Sequence, residues 1–405
     1  MIAIKNGKIF TITQGVIEKG TILVEGGRIV AIGERVDIPK DAEIYDASGK
    51  VVMPGMIDAH CHTGIFLDGV GWEYSDGNEI TDPITPHLRA LDAIHPEDPA
   101  FKDLVEAGVT TICTGPGSAN LIGGQWSCVK TMPKASVDQM ILLDPAGMKM
   151  ALGENPRKVY GDQKRAPATR MANAAILRNA LVEAQNYLAK WERYEKELAG
   201  FKAKSKTKAK NENTQPPTPP DRDLKMEALG KVLRRELKAR IHAHRSYDIL
   251  TAIRIAEEFH LDVTIEHATE GYKIADILAA KKVPVTVGPI LLSRVKYEMS
   301  GLDPRNPGIL AKAGVKVAIQ TDEMSAVRYL ALNASLAVRE GMPEEEALKA
   351  ITINAAEIIG VDHRVGSLEV GKDADIVVFN GHPFNYLTVV MLVLVNGELA
   401  YRRGE

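Results

Sequence analysis

Only three cysteines occur in 405 residues: Cys61, Cys113 and Cys128. So few thiols exclude a disulfide framework and fit a reducing cytosol, so a cytoplasmic location is expected. The sequence also lacks the run of about 18 apolar residues that a membrane span needs. Its most apolar stretch, YLTVVMLVLV at 386–395, reads instead as a buried strand. The start, MIAIKNGKIFTIT, has no basic segment followed by a long apolar core, so no signal peptide is expected. Neither charge sign is in large excess. A net charge of −3 gives no footing for nucleic acid as a general partner. The expected partner is a small-molecule substrate, with neither nucleic acid nor membrane; a homo-oligomer stays open.

What is present is an ordinary soluble composition, 45% hydrophobic and 25% charged, on a chain long enough for one large domain and a smaller one. The first fifty or so residues carry short apolar runs punctuated by Asn-Gly, Lys-Gly and Gly-Gly, and the last forty or so do the same. Between them, β-branched runs alternate with helical stretches: GVTTICTG, GMKMALGE, KARIHAH, LDVTIEHA, VPVTVGP and GVKVAIQTD are the strand candidates. That rhythm predicts an α/β fold, a (β/α)8 TIM-like barrel over 54–364. The two β-rich ends, 1–53 and 365–405, are expected to pair as one small β-sandwich. One segment breaks the rhythm. At 202–221 five alternating lysines lead into a proline-rich run. Such a piece is either a basic tether for an anionic partner or a solvated insert between two barrel helices. The second is expected, since it has no apolar face to bury.

Polar residues then gather at strand ends. VVMPGMIDAHCHTG runs from an apolar strand into His60 and His62, which share a face in an extended chain, while Cys61 faces away. KARIHAH ends in His242 and His244, LDVTIEH in His267, VKVAIQTD in Asp322, and KMALGE in Glu154. In a barrel, the C-terminal ends of the strands carry the active site. Imidazoles and carboxylates collected there predict a metal site for one or two divalent ions, with zinc favoured.

These motifs, in this order, resemble the amidohydrolase superfamily of metal-dependent hydrolases, and the resemblance covers nearly the whole chain. MPGMIDAHCH is similar to the family's first-strand His-x-His. RIHAH and TIEHA are similar to its fifth- and sixth-strand histidines, and QTD to its eighth-strand aspartate. Within the superfamily the chain looks closest to the imidazolonepropionase-related and prolidase-like branch. The resemblance implies metal ligands His60, His62, His242 and His267, with Asp322 beside the metal. It also implies a further bridging ligand on the third or fourth strand, a carboxylated lysine or a glutamate. Lys149 and Glu154 both stand there and face opposite sides of an extended chain. Glu154 is favoured because it ligates without modification.

The chemistry that follows is hydrolysis of a C–N bond in a cyclic amide, lactam or peptide-like amide. A zinc ion lowers the pKa of its water to about 7. Asp322 then takes a proton and returns it to the leaving nitrogen. His244 shares the face of His242 and is a candidate substrate contact. Arg294 in GPILLSR is a candidate partner for a substrate carboxylate. A deaminase on the same scaffold is the alternative, and a non-catalytic binding protein the remote one.

Overall fold

The computed structural model describes residues 1–69, 71–207 and 215–404, which form two eight-stranded sheets. Part of the proline- and lysine-rich insert, 208–214, lies outside the described residues.

The first sheet is made by the chain ends. From the N-terminal side come β1 (Ile2–Phe10), β2 (Val16–Glu25), β3 (Arg28–Gly33), β4 (Glu43–Asp46) and β5 (Val51–Pro54). The second sheet comprises β6 (Met56–Cys61), β7 (Val109–Thr114), β8 (Ile122–Lys130), β9 (Ile141–Ala151), β10 (Ala239–Ala243), β11 (Val263–His267), β12 (Val285–Val287) and β13 (Val317–Ile319). The chain then returns to the first sheet as β14 (Ile376–Phe379), β15 (Val390–Val395) and β16 (Glu398–Arg402).

The first sheet runs β16-β15-β14-β5-β1-β2-β3, with β4 on β1. It closes over its own apolar core, which includes Ile4, Ile22, Ile29, Val52, Ile376 and Leu394. Its far ends meet at two turns: a Cβ on Gly27 (φ 79) would lie 2.9 Å from the Asn396 carbonyl oxygen, so only glycine fits. The two chain ends are joined at the centre, where β5 pairs antiparallel with β14.

The second sheet is the nearly closed barrel. Every residue of β6, β7, β10, β11, β12 and β13 is buried. Strands covered on both faces read as unbroken apolar runs, which is why they were legible. The edges come together at the rim: the Asp322 amide donates to the His60 carbonyl at 3.2 Å, and the His62 amide to the Glu323 carbonyl at 2.9 Å.

Two features depart from the expected pattern. The third strand, β8, was not foreseen, and it runs antiparallel to both β7 and β9. Its sequence IGGQWSCVK mixes two glycines, Gln, Ser and Lys with few apolar residues, so it reads neither as an apolar run nor as an alternation. The helix before the insert runs on into it, spanning Arg170–Thr207. Leu177, Ala180, Leu181 and Ala184 anchor its first half in the core. Beyond them Ala, Lys and Glu dominate; their helix propensity carries the helix past its buried face.

Candidate metal centre

The barrel strands deliver their side chains to one hollow. His60 Nδ1 lies 2.6 Å from Glu266 Oε2, so that nitrogen carries the proton. Burial, then the charge of Lys149, pushes the His60 pKa down and keeps the ring neutral. The lone pair on Nε2 therefore faces inward. It stands 3.3 Å from Lys149 Nζ and 3.2 Å from Asp322 Oδ1. His62 repeats the arrangement. Its Nδ1 donates to the Gly115 carbonyl at 2.8 Å, and its Nε2 lies 3.2 Å from the same Asp322 Oδ1. His267 packs against His60 with ring centroids 4.9 Å apart, and burial lowers its pKa to about 3. His242 and His244 lie 4.4 and 4.5 Å from His267, ring to ring, and are pushed well below the usual imidazole range by burial and then by the charge of His267.

This donor set fits a divalent cation. His60 Nε2 and His62 Nε2 converge on one carboxylate oxygen, each at 3.2 Å, with both Nδ1 atoms engaged behind them. A positive ion between them would be ligated by both lone pairs and the carboxylate. The distances to Asp322 agree with the separation of about 3.3 Å between ligands of a tetrahedral zinc, and the ligand atoms of His60, His267 and Asp322 all lie within 4.8 Å of one another. His242 Nδ1 and His244 Nε2 are buried with no hydrogen-bond partner, a costly condition that a bound ion also relieves.

Two residues are held here in unusual backbone conformations. His267 has φ 70 and Asp322 φ 56, both left-handed. Such positions cost on the order of 1 kcal/mol or more and gather at functional sites. At His267 the consequence is visible. Strict alternation would send Glu266 and His267 to opposite faces, yet both side chains reach His60.

Under the hollow lies a charged layer. Arg240 donates to Glu266 Oε1 at 2.9 Å and Oε2 at 3.0 Å, to the Ala59 carbonyl at 2.6 Å, and stacks on Trp126 at 4.8 Å. Thr286 also donates to Glu266. Burial pushes the Glu266 carboxyl up, but the Arg240 charge and the His60 hydrogen bond outweigh it and hold it well below the usual range. Glu266 thus orients His60, as carboxylates behind metal-binding histidines do.

The structure brings together His60, His62, His242, His244, His267 and Asp322. It does not bring Glu154. Strand β9 stops at Ala151, Gly153 (φ 89) turns the chain, and Glu154 opens the helix Glu154–Asp162. Its Oε2 accepts the Glu298 amide at 3.0 Å. Lys149 occupies the inward place instead: it lies over Trp126 at 4.8 Å, and burial lowers its pKa to about 8. Arg294 is also elsewhere committed, donating to the Ser300 carbonyl at 3.2 Å and the Leu302 carbonyl at 2.9 Å. Sequence reasoning missed Arg240, Glu266, Lys296 and Glu298. For the first two the signal was a buried Arg and Glu inside the very runs, RIHAH and TIEHA, that carry the histidines.

A scan against protein families matches residues 51–400 to the amidohydrolase family. A crystal structure of an amidohydrolase from Thermotoga maritima MSB8 is 44% identical, with a TM-score of 0.90 over 100% of both chains. Amidohydrolase tasK of Hapsidospora irregularis is 28% identical across 94% of this chain, which spans only 40% of that protein's length. An imidazolonepropionase of Geobacillus kaustophilus is 27% identical over 96% of this chain and 90% of that one. A prolidase crystallised with N-methylphosphonate-L-proline shares the fold: 20% identity, TM-score 0.62, 99% of this chain and 100% of that chain.

Proposed function

The chain belongs to the amidohydrolase family, and on that premise we propose that it hydrolyses a C–N bond in a small molecule, with one or two divalent ions of the zinc class. The linkage is an amide, a lactam or a peptide-like bond. The observation that carries this reading is the meeting of His60 Nε2 and His62 Nε2 on Asp322 Oδ1, each at 3.2 Å, with both Nδ1 atoms tied down behind. His60, His62, His242, His267 and Asp322 would hold the ion or ions, and Lys149, if carboxylated, would supply a further oxygen ligand. A bound ion of this class acidifies water to a pKa of about 7 and polarises a carbonyl oxygen.

The chain's own residues do the rest. Asp322 is the reachable carboxylate, its side chain 29% exposed among imidazoles that are nearly closed off. It accepts a proton at its carboxylate oxygen and returns it to the leaving nitrogen, which cannot depart as an amide anion. Glu266 keeps the His60 proton on Nδ1, so that Nε2 stays a ligand. Lys149, with its pKa near 8, holds a fraction of neutral amine at neutral pH, the form that adds to carbon dioxide. Three buried, unpaired thiols suit the cytoplasm as its place of work.

The test is elemental analysis of the wild type and of a His60→Ala, His62→Ala double variant, with turnover on a panel of dipeptides, lactams, cyclic imidazolones and amidines. Metal should be present at one ion or more per chain and fall sharply in the variant. Turnover should release a carboxylate and an amine. Full metal retention in the variant would sink the reading, and ammonia released from amidines alone would make the protein a deaminase.

A further inference from the structure

Beside the hollow, the rim of the barrel carries a separate cavity of about 270 Å3, lined by Glu154, Arg157, Lys158, Ala168, Arg170 and Tyr297. One side chain stands between the two. Glu298 Oε1 lies 3.4 Å from His242 Nε2, while its Oε2 accepts the Glu154 amide at 2.9 Å. Lys296 bridges the same gap, its ammonium 2.7 Å from Glu298 Oε1 and 3.2 Å from Asn155 Oδ1. A molecule whose reacting bond lies in the hollow thus has this cavity within reach of its far end.

The lining is more basic than its own acids balance. Lys158 pairs with Asp162 at 2.7 Å, and Arg170 holds Asp248 through Nε at 2.9 Å. Glu154 Oε2 accepts the Glu298 amide at 3.0 Å. Arg157 is left over. It is half-buried, makes no hydrogen bond or ion pair with any described residue, and its Nε is buried without an acceptor. Leaving such a donor unsatisfied is costly, and a bound anion relieves it. The planar fork of arginine suits a carboxylate, which it holds through two parallel hydrogen bonds. Tyr297 adds an aromatic wall: its ring is 69% exposed and braced by the Arg245 guanidinium, 5.2 Å from the ring centroid.

We infer that this cavity is a substrate-recognition subsite, in which Arg157 binds a carboxylate carried by the substrate at the end remote from the scissile C–N bond. This rests on the hydrolase reading above and narrows it to anionic amides, such as N-acyl amino acids and peptides with a free C-terminus. The part that the sequence offered to Arg294 passes to Arg157, since Arg294 is tied to the Ser300 and Leu302 carbonyls. Arg157 lies away from the reacting bond, so it acts through affinity.

The test uses the protein as purified and matched pairs of compounds: N-acetyl amino acids and dipeptides, each beside its C-terminal carboxamide. Binding is read by calorimetry and hydrolysis by kcat/KM. Wild type should favour the free acid by about tenfold or more, as a hydrogen bond between charged groups warrants. Arg157→Gln should abolish that preference by raising KM for the acid, with metal content and melting temperature kept, and Arg157→Lys should restore part of it. Equal binding of acid and carboxamide by wild type overturns the inference, as does binding of neither. A preference that survives Arg157→Gln overturns it too, because the carboxylate then sits elsewhere. Carboxamides cleaved as readily as acids leave the hydrolase reading standing without the subsite. Acids bound with an Arg157-dependent preference but never cleaved keep the subsite and remove that reading.

Discussion

Glu266 Oε2 lies 2.6 Å from His60 Nδ1, and neither side chain is exposed to solvent. The same carboxylate is gripped by Arg240. Glu266→Gln would leave the buried Arg240 guanidinium without its counter-charge, and breaking such a pair costs about 3–5 kcal/mol. It would also free His60 to rotate or change tautomer, which lowers metal affinity by about 10- to 100-fold. Thermal melting and metal titration of the same sample read the two effects. Wild-type affinity in a folded Glu266→Gln protein would show that the carboxylate braces the barrel without orienting His60.

Asp322 is predicted to be the proton carrier. Asp322→Asn retains the shape and one oxygen ligand but cannot accept the proton. Turnover on the substrate found should fall by about 100- to 10,000-fold, with the fold intact. Turnover within a few-fold of wild type would hand the proton to another group, the half-buried Glu323 beside it being next in line.

Lys149 and Glu154 make opposite predictions. Lys149→Met should lower metal content markedly, whereas Glu154→Gln should change it little, because that carboxylate accepts the Glu298 amide instead. Carboxylation requires the neutral amine. With the pKa of Lys149 near 8, metal uptake by stripped protein should rise with pH through that value and depend on added bicarbonate. Equal uptake with and without bicarbonate would mean that Lys149 stays an amine.

Residues 202–221 should be replaceable by a short Gly/Ser bridge with a small change in melting temperature. Contacts that seat the long helix lie before them: Tyr187 donates to Glu227 at 3.4 Å, and Leu188 packs so closely on Gly230 that a Cβ there would lie 3.1 Å from it. A fall of ten degrees or so would be the loss of about 2–5 kcal/mol, and would show that the segment packs on something after all.

Much of this site could be read without coordinates, for a physical reason. His60 with His62, and His242 with His244, announce themselves because a strand repeats every two residues, so that each pair shares a face. Asp322 and His267 end apolar runs. What escaped reading depended on backbone or tertiary events. Gly153 ends the strand before Glu154, so the carboxylate that looked like a strand-end ligand begins a helix. The left-handed φ at His267 breaks alternation, so Glu266 could not be assigned inward by counting. Glu298 reaches His242 from 56 positions away along the chain, and no local pattern encodes that approach. The antiparallel β8 was hidden by its glycines and its buried Gln, Ser and Lys, which break up the apolar run.

The pairing of β5 with β14 has a consequence for how the protein is made. β5 leads straight into β6, the strand of His60 and His62, and the Gly55 amide between them donates to the Asp375 carbonyl at 2.9 Å. The ribosome therefore releases the first histidines more than three hundred residues before the strand that holds their neighbour in place. Until 376–402 emerge, β5 has an open edge available to any passing strand, a standing hazard for chains with such distant pairings. Completion of the hollow that gathers these histidines thus waits for the C-terminal strands. A chain stalled or clipped before β14 would carry every histidine of the hollow and still lack the clamp behind the first two.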